Sequence, residues 1–324
     1  MKVLFITSGN KTGKPGTVVQ NQADSFIKND IDLDFYLINK KGLSGYLKAG
    51  IKLRVFLEQK KYDIIHAHYT LSGWTAVLGA RKVPVVLSLM GSDAYGDIIA
   101  PKKAKLISKY LPVLTFCIQP FVRTVISKSK NIEKLVWQKR KSIIIPNGIN
   151  VDKFKPSNLD LRKVLNLNQK TKYILFLGAR NNIRKNYTLA CKAINLINCN
   201  NIELLAPYPI PNNQIPKYLN AANLLIHTSL NEGSPNLIKE AMACNCPVVS
   251  TNVGDVKWLF GNEPGHYLTS FNPDDVAKKI ELALEYSNRH GRTQGRKRLL
   301  ELGLDEDTIA RRLISVYNEL LGES

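Results

Sequence analysis

The 324-residue chain has few cysteines, no long hydrophobic run and few acidic residues for its many basic ones. Its five cysteines are odd in number and lack paired spacing, which predicts reduced thiols rather than a disulfide framework. Cys244 and Cys246 form a C-x-C without a second pair, so no zinc site is expected. No apolar run approaches the roughly 20 residues of a membrane-spanning helix. The first residues lack the apolar core and cleavage site of a signal peptide, which predicts a cytoplasmic protein.

Two common nucleotide-binding loops are also missing. The stretch "SGNKTGKPGT" at 8–17 separates Gly9 from Gly13 by three residues rather than four, and a proline follows Lys14, so it fails as a P-loop. It is not a G-x-G-x-x-G fingerprint either. ATP hydrolysis and a dinucleotide site in the first half are therefore unsupported. The stretch is still compatible with a flexible glycine-rich loop over a ligand cleft, which makes Gly16 an acceptor-side candidate.

The shortage of acidic residues is concentrated in the first half of the chain. Residues 1–150 carry 24 Lys and Arg against 9 Asp and Glu, a net charge of +15, whereas residues 151–324 carry 22 against 17, a net charge of +5. Such a surface attracts phosphates, anionic lipid headgroups or nucleic acid, or simply keeps the protein soluble. No helix-turn-helix signature, zinc pattern or aromatic RNA-binding strand accompanies the charge, so nucleic acid is not the expected partner.

Short apolar runs alternate with helix-length amphipathic segments along the whole chain. The predicted strands are 3–7, 33–38, 63–68, 83–89, 113–117, 142–146, 173–178, 202–207, 223–228 and 246–251, and the predicted helices include 17–29, 72–80, 121–138, 186–198 and 235–244. Strands that are apolar throughout are covered on both faces, so each half is predicted to be an α/β domain with a doubly wound parallel sheet.

The domain boundary is predicted at "PNGINVDKFKPS", because this stretch has two prolines, a glycine and no apolar period. The expected organisation is a first domain at 1–145, a linker at 146–157 and a second domain at 158–324. Three helical stretches follow residue 273, and the last helix is available to pack back on the first domain. Doubly wound domains bind ligands at the carboxyl ends of their strands, so the loops there should carry the chemistry.

The first such loop in the second domain is "GARNNIRK" at 178–185. Gly178 lets the backbone turn, and Arg180 and Lys185 then project from the loop that enters the next helix. A guanidinium and an ammonium beside a helix amino end suit a diphosphate, which needs cations and amide donors together.

The second loop is "NEGSPNLIKEAMACNCPVV" at 231–249, with two glutamates eight positions apart. Ser234 is the expected N-cap of a helix and Pro235 suits its first turn, which leaves backbone amides free to hold phosphate oxygens. Glu232 and Glu240 can accept hydrogen bonds from polyol hydroxyls. The loop predicts a site for a nucleotide sugar. The donor-binding candidates are Gly178, Gly233, Ser234, Pro235, Asn236, Leu237 and Glu240.

These motifs resemble a known family. The pattern E-G-x-P-N-x-x-x-E-A-M-A-x-x-x-P-V-V resembles the E-x7-E signature of retaining glycosyltransferases of family 4, which have the GT-B fold of two Rossmann-like domains facing a central cleft. Further similar segments are "DIIHAHYTLSGWTAVLGARKVPVVLSLMGSD" at 63–93, "IIIPNGINVDKFKP" at 143–156, "GARNNIRK" at 178–185 and "VVSTNVGD" at 248–255. The resemblance touches nearly the whole chain.

The resemblance implies roles for individual residues. Glu240 is expected to accept from the ribose hydroxyls of a UDP- or GDP-sugar, and Glu232 to contact the transferred sugar. Arg180 and Lys185 are expected to hold the diphosphate and stabilise the charge of the leaving nucleotide. Family members need no metal, and the leaving phosphate deprotonates the acceptor on the same face. The catalytic candidates are Glu232, Arg180, Lys185 and Asp93.

Two positions depart from the family pattern. Met90 precedes Gly91 and Ser92 where relatives have His-Gly-Ser-Asp, and methionine cannot donate a hydrogen bond to sugar or phosphate. Asp93 either binds the acceptor or the transferred sugar, or is a structural turn carboxylate. Asp255 stands where relatives have a second glycine. The acceptor-side candidates are Gly16, His68, Gly91 and Ser92.

The sequence therefore predicts a cytoplasmic retaining hexosyltransferase of cell-surface polysaccharide synthesis. Its acceptor is expected to be a saccharide, lipid-linked or anionic, and the basic first domain is expected to dock on the anionic inner face of the membrane. Three alternatives stay open: a GT-B nucleotide-sugar epimerase, a basic nucleic-acid-binding protein, and a non-catalytic relative.

Overall fold

The computed structural model describes residues 1–9, 13–40, 42–96, 98–100, 103–104, 110–199 and 201–322. These residues form two compact units. Unit 1 comprises residues 1–97, 104–148 and 306–324, and unit 2 comprises residues 98–103 and 149–305. The chain passes from unit 1 to unit 2 after Gly148 and returns to unit 1 for its last helix.

Each unit is built on a parallel sheet. The strands are β1 (Lys2–Ser8), β2 (Asp32–Ile38), β3 (Ile64–His68), β4 (Val85–Leu89), β5 (Ile98–Ala100), β6 (Lys103–Ala104), β7 (Thr124–Ser127), β8 (Ser142–Ile144), β9 (Lys172–Leu175), β10 (Ile202–Leu205), β11 (Leu224–His227), β12 (Val248–Thr251) and β13 (His266–Thr269). The order is β2-β1-β3-β4-β7-β8 in unit 1 and β10-β9-β11-β12-β13 in unit 2, and β5 pairs with β6 as a separate ribbon. The predicted parallel α/β architecture is confirmed.

Helices connect the strands. They are α1 (Thr17–Ile27), α2 (Leu43–Gln59), α3 (Thr70–Gly79), α4 (Ser92–Tyr95), α5 (Tyr110–Ile118), α6 (Lys130–Glu133), α7 (Leu161–Val164), α8 (Tyr187–Leu196), α9 (Ile215–Ala221), α10 (Asn236–Ala243), α11 (Val256–Phe260), α12 (Pro273–His290), α13 (Gly295–Glu301) and α14 (Glu306–Leu321). Strands β3 and β4 are buried at every residue, as expected when helices cover both faces of a sheet. Within the described residues, no helix is both long and apolar enough to cross a bilayer.

The last helix packs within unit 1. Tyr317 of α14 is fully buried, lies edge-on to His66 of β3 with the ring centres 5.8 Å apart, and hydrogen-bonds to that histidine. At the start of α14, Glu306 pairs with Lys28 at 3.0 Å. A buried aromatic anchor and a peripheral ion pair therefore hold α14 against the first sheet.

Two predicted elements of unit 1 are wrong. Residues 113–117 were expected as a strand but lie in α5, and residues 121–138 were expected as a helix but include β7. A short apolar run cannot be assigned to strand or helix from periodicity alone, and α5 has apolar residues on its exposed face as well as on its buried face. Strand β13 was not predicted, because "HYLT" is too short to stand out. All five cysteines are free.

Candidate functional site

The predicted loop of unit 2 joins β11 to α10. Helix α10 begins at Asn236, and Pro235 occupies the N-cap position without a side-chain hydrogen bond to the helix. The prediction that Ser234 caps the helix is wrong, because the Ser234 hydroxyl donates to Asp255 Oδ2 at 2.6 Å instead. The proline side chain has no acceptor, so α10 has no side-chain hydrogen bond from its N-cap residue, and its amino end carries the partial positive charge of a helix dipole.

Glu232 lies in this loop and is held by two cations. Its Oε1 accepts from Lys185 Nζ at 2.6 Å and from the Ser229 hydroxyl at 3.0 Å, and its Oε2 lies 2.6 Å from Arg184 Nη1. His227 Nε2 is 3.6 Å from Oε1. The sequence predicted Lys185 and Glu232 as site residues but not Arg184, because a basic loop residue that forms an ion pair looks the same in sequence as one that is solvated.

The electrostatics of this cluster leave a positive excess. Burial alone would raise the pKa of Glu232, but His227, Lys185 and Arg184 outweigh burial and hold that pKa well below its ordinary value. Glu232 is therefore ionised at neutral pH. Burial lowers the pKa of His227, which is consequently neutral there. Two cations share one carboxylate, so the cluster has a net charge of about +1 and still attracts an anion.

Backbone and hydroxyl contacts clamp the two loops of the site together. The Leu230 amide donates to the Arg184 carbonyl at 2.8 Å, and the Thr228 hydroxyl donates to the carbonyls of Lys185 and Asn186, each at 3.0 Å. Because β9 and β11 are neighbours in the sheet, the loops that follow them meet at its carboxyl edge.

Gly178 and Arg180 lie in the loop after β9. A Cβ at Gly178 would lie 3.1 Å from Lys185 Cγ, so the glycine makes room for the lysine that reaches Glu232. Arg180 is exposed; its guanidinium donates to the Ala206 carbonyl at 3.0 Å and lies over the Tyr187 ring at 5.4 Å. Arg180 is therefore held by one hydrogen bond and by the Tyr187 ring, and its side chain is still exposed.

Glu240 is buried in α10 and is not part of the Glu232 cluster. Burial raises the pKa of Glu240 to about 7, although Lys153 and Lys239 counteract part of the effect. No hydrogen bond to its carboxylate occurs within the described residues. A nearly buried carboxylate without a hydrogen-bond donor is suited to receive one from a ligand.

A second charged group lies beneath the loop. Lys239 is fully buried, and burial lowers its pKa to about 8, opposed by Asp255 and Glu240. Burial raises the pKa of Asp255, whose Oδ2 accepts from Ser234. Gly254 packs against the same loop at φ +59°, and a Cβ there would lie 2.6 Å from the Gly233 carbonyl oxygen. Sequence reasoning noted Asp255 as a departure but did not predict that it bonds Ser234.

In unit 1, the structure favours a positioning role for Asp93. Its carboxylate is fully buried and accepts from the amides of Met90 at 2.9 Å, Gly91 at 2.8 Å and Thr70 at 3.1 Å. Burial raises the pKa of Asp93 to about 6 although these amides lower it. The Asp93 carboxylate oxygens accept hydrogen bonds from three backbone amides. The Asp93 side chain therefore stabilises the turn of Gly91 and Ser92 and the start of α3.

The other acceptor-side candidates are separate. His68 is buried and stacks on His66 at 4.4 Å, and its Nε2 has no hydrogen-bond partner within the described residues. Burial, with a contribution from Lys128, lowers the pKa of His68 to about 3, so it is neutral. Gly16 is exposed at the N-cap of α1, in open space. Residues 10–12 of the predicted glycine-rich loop lie outside the described residues.

Metal binding has no obvious site in the part of the chain that the structure describes, where no three His, Cys, Asp or Glu side chains cluster suitably. The loop site and α10 together present cations, helix amides and two carboxylates. Such a set binds an anion joined to a group rich in hydroxyls.

Two family models match this chain. Residues 17–153 match the family described as "Glycosyltransferase Family 4", and residues 173–286 match the family described as "Glycosyl transferases group 1". The two matches together leave out only the termini and a stretch near the predicted linker.

Individual relatives are more distant. An Escherichia coli protein named UDP-Gal:alpha-D-GlcNAc-diphosphoundecaprenol alpha-1,3-galactosyltransferase is 26% identical over 266 residues, 71% of this chain and 68% of that protein. A Bacillus subtilis protein, provisionally named as a glycosyltransferase of teichuronic acid biosynthesis, is 27% identical over 243 residues, 66% of this chain; the match spans 59% of its length, less than two thirds.

A solved structure shares the fold. The Anabaena protein HepE, crystallised with UDP and glucose, superposes with a TM-score of 0.77 over 98% of this chain and 100% of that one, at 17% identity. The predicted GT-B fold is confirmed.

Proposed function

Because the chain belongs to the glycosyltransferases of family 4, we propose that it transfers a hexosyl group from a UDP- or GDP-sugar to a saccharide or lipid-linked acceptor, with retention of anomeric configuration. The observation that carries this proposal is the pairing of Lys185 and Arg184 with Glu232 beside the uncapped amino end of α10. This arrangement supplies a cationic excess and backbone amides at the carboxyl edge of the sheet, where a diphosphate is best bound.

In the proposed complex, the diphosphate contacts Lys185, Arg180 and the first amides of α10. Glu232 then faces the transferred sugar, and Glu240 accepts from the ribose. The bond between the anomeric carbon and the leaving phosphate oxygen breaks as the acceptor oxygen bonds to that carbon on the same face. The acceptor proton passes to the leaving diphosphate, whose growing charge the cations stabilise.

The proposed acceptor rests on the names of relatives and on the charge of the first half of the chain. The relatives whose names mention a diphosphoundecaprenol-linked sugar and teichuronic acid support a lipid-linked or polysaccharide acceptor of bacterial cell-surface synthesis. The net charge of +15 on residues 1–150 supports an anionic acceptor and, as a further partner, the anionic inner face of the cell membrane.

A nucleotide-sugar panel tests the proposal. Purified protein is melted with UDP-glucose, UDP-galactose, UDP-N-acetylglucosamine and GDP-mannose, and a bound donor is expected to raise the melting temperature. The best donor is then incubated with a diphosphoundecaprenol-linked N-acetylglucosamine, and the anomeric configuration of the product is read by NMR. Absence of both a melting shift and donor consumption across the panel would refute the proposal.

The same assay separates the alternatives. Conversion of the donor to a sugar isomer without acceptor would identify an epimerase. A protein that binds donor but transfers nothing to any acceptor would be a non-catalytic relative. Filter binding to DNA or RNA at moderate salt, without a nucleotide-sugar melting shift, would support a nucleic-acid-binding protein.

A further inference from the structure

Helix α5 of unit 1 carries apolar residues on its outward face. It buries Thr115 and Ile118, whereas Tyr110, Val113 and Phe116 are exposed. At 100° per residue, these three exposed positions lie within about 120° of one another, so they form one stripe along the helix. An outward stripe without a charged residue is unusual for a surface helix and marks a binding face.

Aromatic residues on neighbouring segments extend this stripe. Trp137 is 45% exposed, stacks on Phe116 with ring centres 5.1 Å apart, and donates from Nε1 to the Phe116 carbonyl at 2.9 Å. Phe121 is 62% exposed and lies 5.9 Å from Trp74, which donates to the Leu114 carbonyl of α5. We call Tyr110, Val113, Phe116, Phe121 and Trp137 together the α5 surface.

Cations surround the α5 surface. Residues 110–141 contain seven Lys and Arg but a single acidic residue, Glu133, which pairs with Lys139 at 3.0 Å. The exposed cations of this stretch are Arg123, Lys130, Lys134, Lys139 and Arg140. Aromatic residues flanked by lysine and arginine are the composition of protein surfaces that bind at the interface of an anionic bilayer.

A cavity of about 280 Å³ lies at the edge of this surface and has a cationic lining. Phe121, Arg123, Lys141 and Arg81 line it. Lys141 donates to the carbonyls of Pro120 and Val122, each at 3.0 Å, and Arg81 pairs with Glu58. The Arg123 guanidinium makes no hydrogen bond or ion pair within the described residues, so it is the cation available to an incoming phosphate.

We propose that the α5 surface docks on a lipid bilayer that contains anionic phospholipid, with its aromatic side chains in the interface and a lipid phosphate against Arg123. The inference rests on the membrane partner of the proposed function, but not on the transfer reaction. A second copy of the chain is a poorer occupant, because a two-fold dimer would bring the same cations face to face. An anionic bilayer complements both the apolar and the charged part of the surface.

Vesicle co-sedimentation with the full-length protein tests this docking surface. Binding is expected to vesicles with about one third phosphatidylglycerol but not to pure phosphatidylcholine, and to fall as salt is raised from about 0.05 to 0.5 M. The double variant Phe116→Ser, Phe121→Ser is expected to bind the anionic vesicles at least about tenfold more weakly, because two aromatic side chains no longer leave water. Arg123→Gln is expected to lower binding about fivefold.

The fluorescence of Trp137 reports the docking of the α5 surface on vesicles. Its emission is expected to shift to shorter wavelength on anionic vesicles, and Trp137→Phe, which keeps a ring to stack on Phe116, is expected to abolish most of the shift. Phe271→Ser is the matched control, since Phe271 is 47% exposed on unit 2 and should bind like wild type.

All variants are also checked for melting temperature and for the donor-induced melting shift, which should match wild type. Vesicle binding and donor binding are thus read separately, and a protein without donor binding can still confirm the docking surface. Equal sedimentation of wild type with both vesicle types, unchanged binding of the double variant, or a dimer that the double variant dissociates would each overturn the proposal.

Discussion

The Lys185 ammonium and the Glu232 carboxylate lie 2.6 Å apart although 47 residues separate them in the chain. The loops after two adjacent strands bring them together, and Arg184 joins the same carboxylate from the other side. In the proposed reaction the donor diphosphate shares Lys185 with Glu232. The Glu232 carboxylate therefore holds Lys185 and Arg184 in position before the donor binds.

Glu232→Gln is expected to lower the free energy of unfolding by about 1–3 kcal/mol at pH 7, because it leaves two partly buried cations without their counter-charge. The pKa of Glu232 is depressed in the folded protein, so its contribution is present above the unfolded value of 4.5 and is lost as pH falls through the folded pKa. Urea denaturation should therefore show a difference between variant and wild type that shrinks under acid conditions.

Glu285→Gln serves as the control for that experiment. Glu285 also pairs with an arginine, Arg289, at 2.5 Å, but both side chains are mostly exposed. An exposed pair on one helix contributes little, so the control should lie within about 0.5 kcal/mol of wild type. An equal loss in both variants would show that Glu232 has no special place in the site.

Arg180→Ala is expected to slow turnover about 100-fold, because the leaving nucleotide loses a charge-stabilising donor. Stability should barely change, since the side chain is exposed and its carbonyl partner Ala206 can be solvated. Steady-state kinetics with the best donor, alongside Lys192→Ala as an exposed cation on α8, checks the effect. A kcat equal to that of wild type would remove Arg180 from the reaction.

Donor binding is expected to depend on pH through Glu240. Burial raises its pKa to about 7, so affinity for a nucleotide sugar should increase from about pH 6 to pH 8 as the carboxylate ionises and accepts more strongly from the ribose. Glu240→Gln should bind about tenfold more weakly at pH 8 and lose this pH dependence. Calorimetric titration of the best donor at several pH values measures both.

In the donor-free protein, the raised pKa of Glu240 is expected to make stability fall as pH rises. Because the folded pKa exceeds the unfolded value of 4.5, the stability linked to Glu240 is lost as pH rises towards 7, and Glu240→Gln should remove that decline. Lys239, whose pKa burial lowers to about 8, titrates nearby and should leave a residual slope at higher pH in both proteins. A wild-type affinity that does not vary between pH 6 and 8 would contradict this role.

Gly254→Ala is expected to weaken donor binding through the loop it supports. The new Cβ would lie 2.6 Å from the Gly233 carbonyl oxygen, so the loop of Glu232 must move. Gly291→Ala is a close control, because Gly291 also has a positive φ, +73°, but no atom within 4 Å of the added Cβ. Both should lose about 1 kcal/mol to backbone strain, and only Gly254→Ala should also raise the KM for donor.

The fold was predictable wherever hydrophobicity was continuous. Strands such as β3 and β4 are buried on both faces, and the continuous runs of apolar residues around them predict that burial. The prediction failed between 113 and 138, where α5 is apolar on its exposed side too. The residues that misled the secondary-structure prediction, Val113 and Phe116, are those that form the α5 surface.

The candidate site was predictable in its parts but not in its pairings. Spacing identified Glu232, Lys185 and the turn before α10, because the residue types and the strand-loop-helix context suffice for that. Ser234 was expected to cap the helix, yet the distant Asp255 takes its hydroxyl. Arg184 and Lys239 were not singled out at all, since nothing in their local sequence distinguishes them from solvated cations.

The sequence by itself determined the parallel α/β architecture, the family and the loops of the candidate site, because burial pattern and motif spacing are local properties of the chain. Only the tertiary structure decided which charged groups pair: Glu232 pairs with both Lys185 and Arg184, Asp93 accepts from three backbone amides, and Glu240 is buried enough to titrate near neutrality. Those outcomes depend on distance and desolvation between residues far apart in the chain, and both quantities exist only once the sheets are formed.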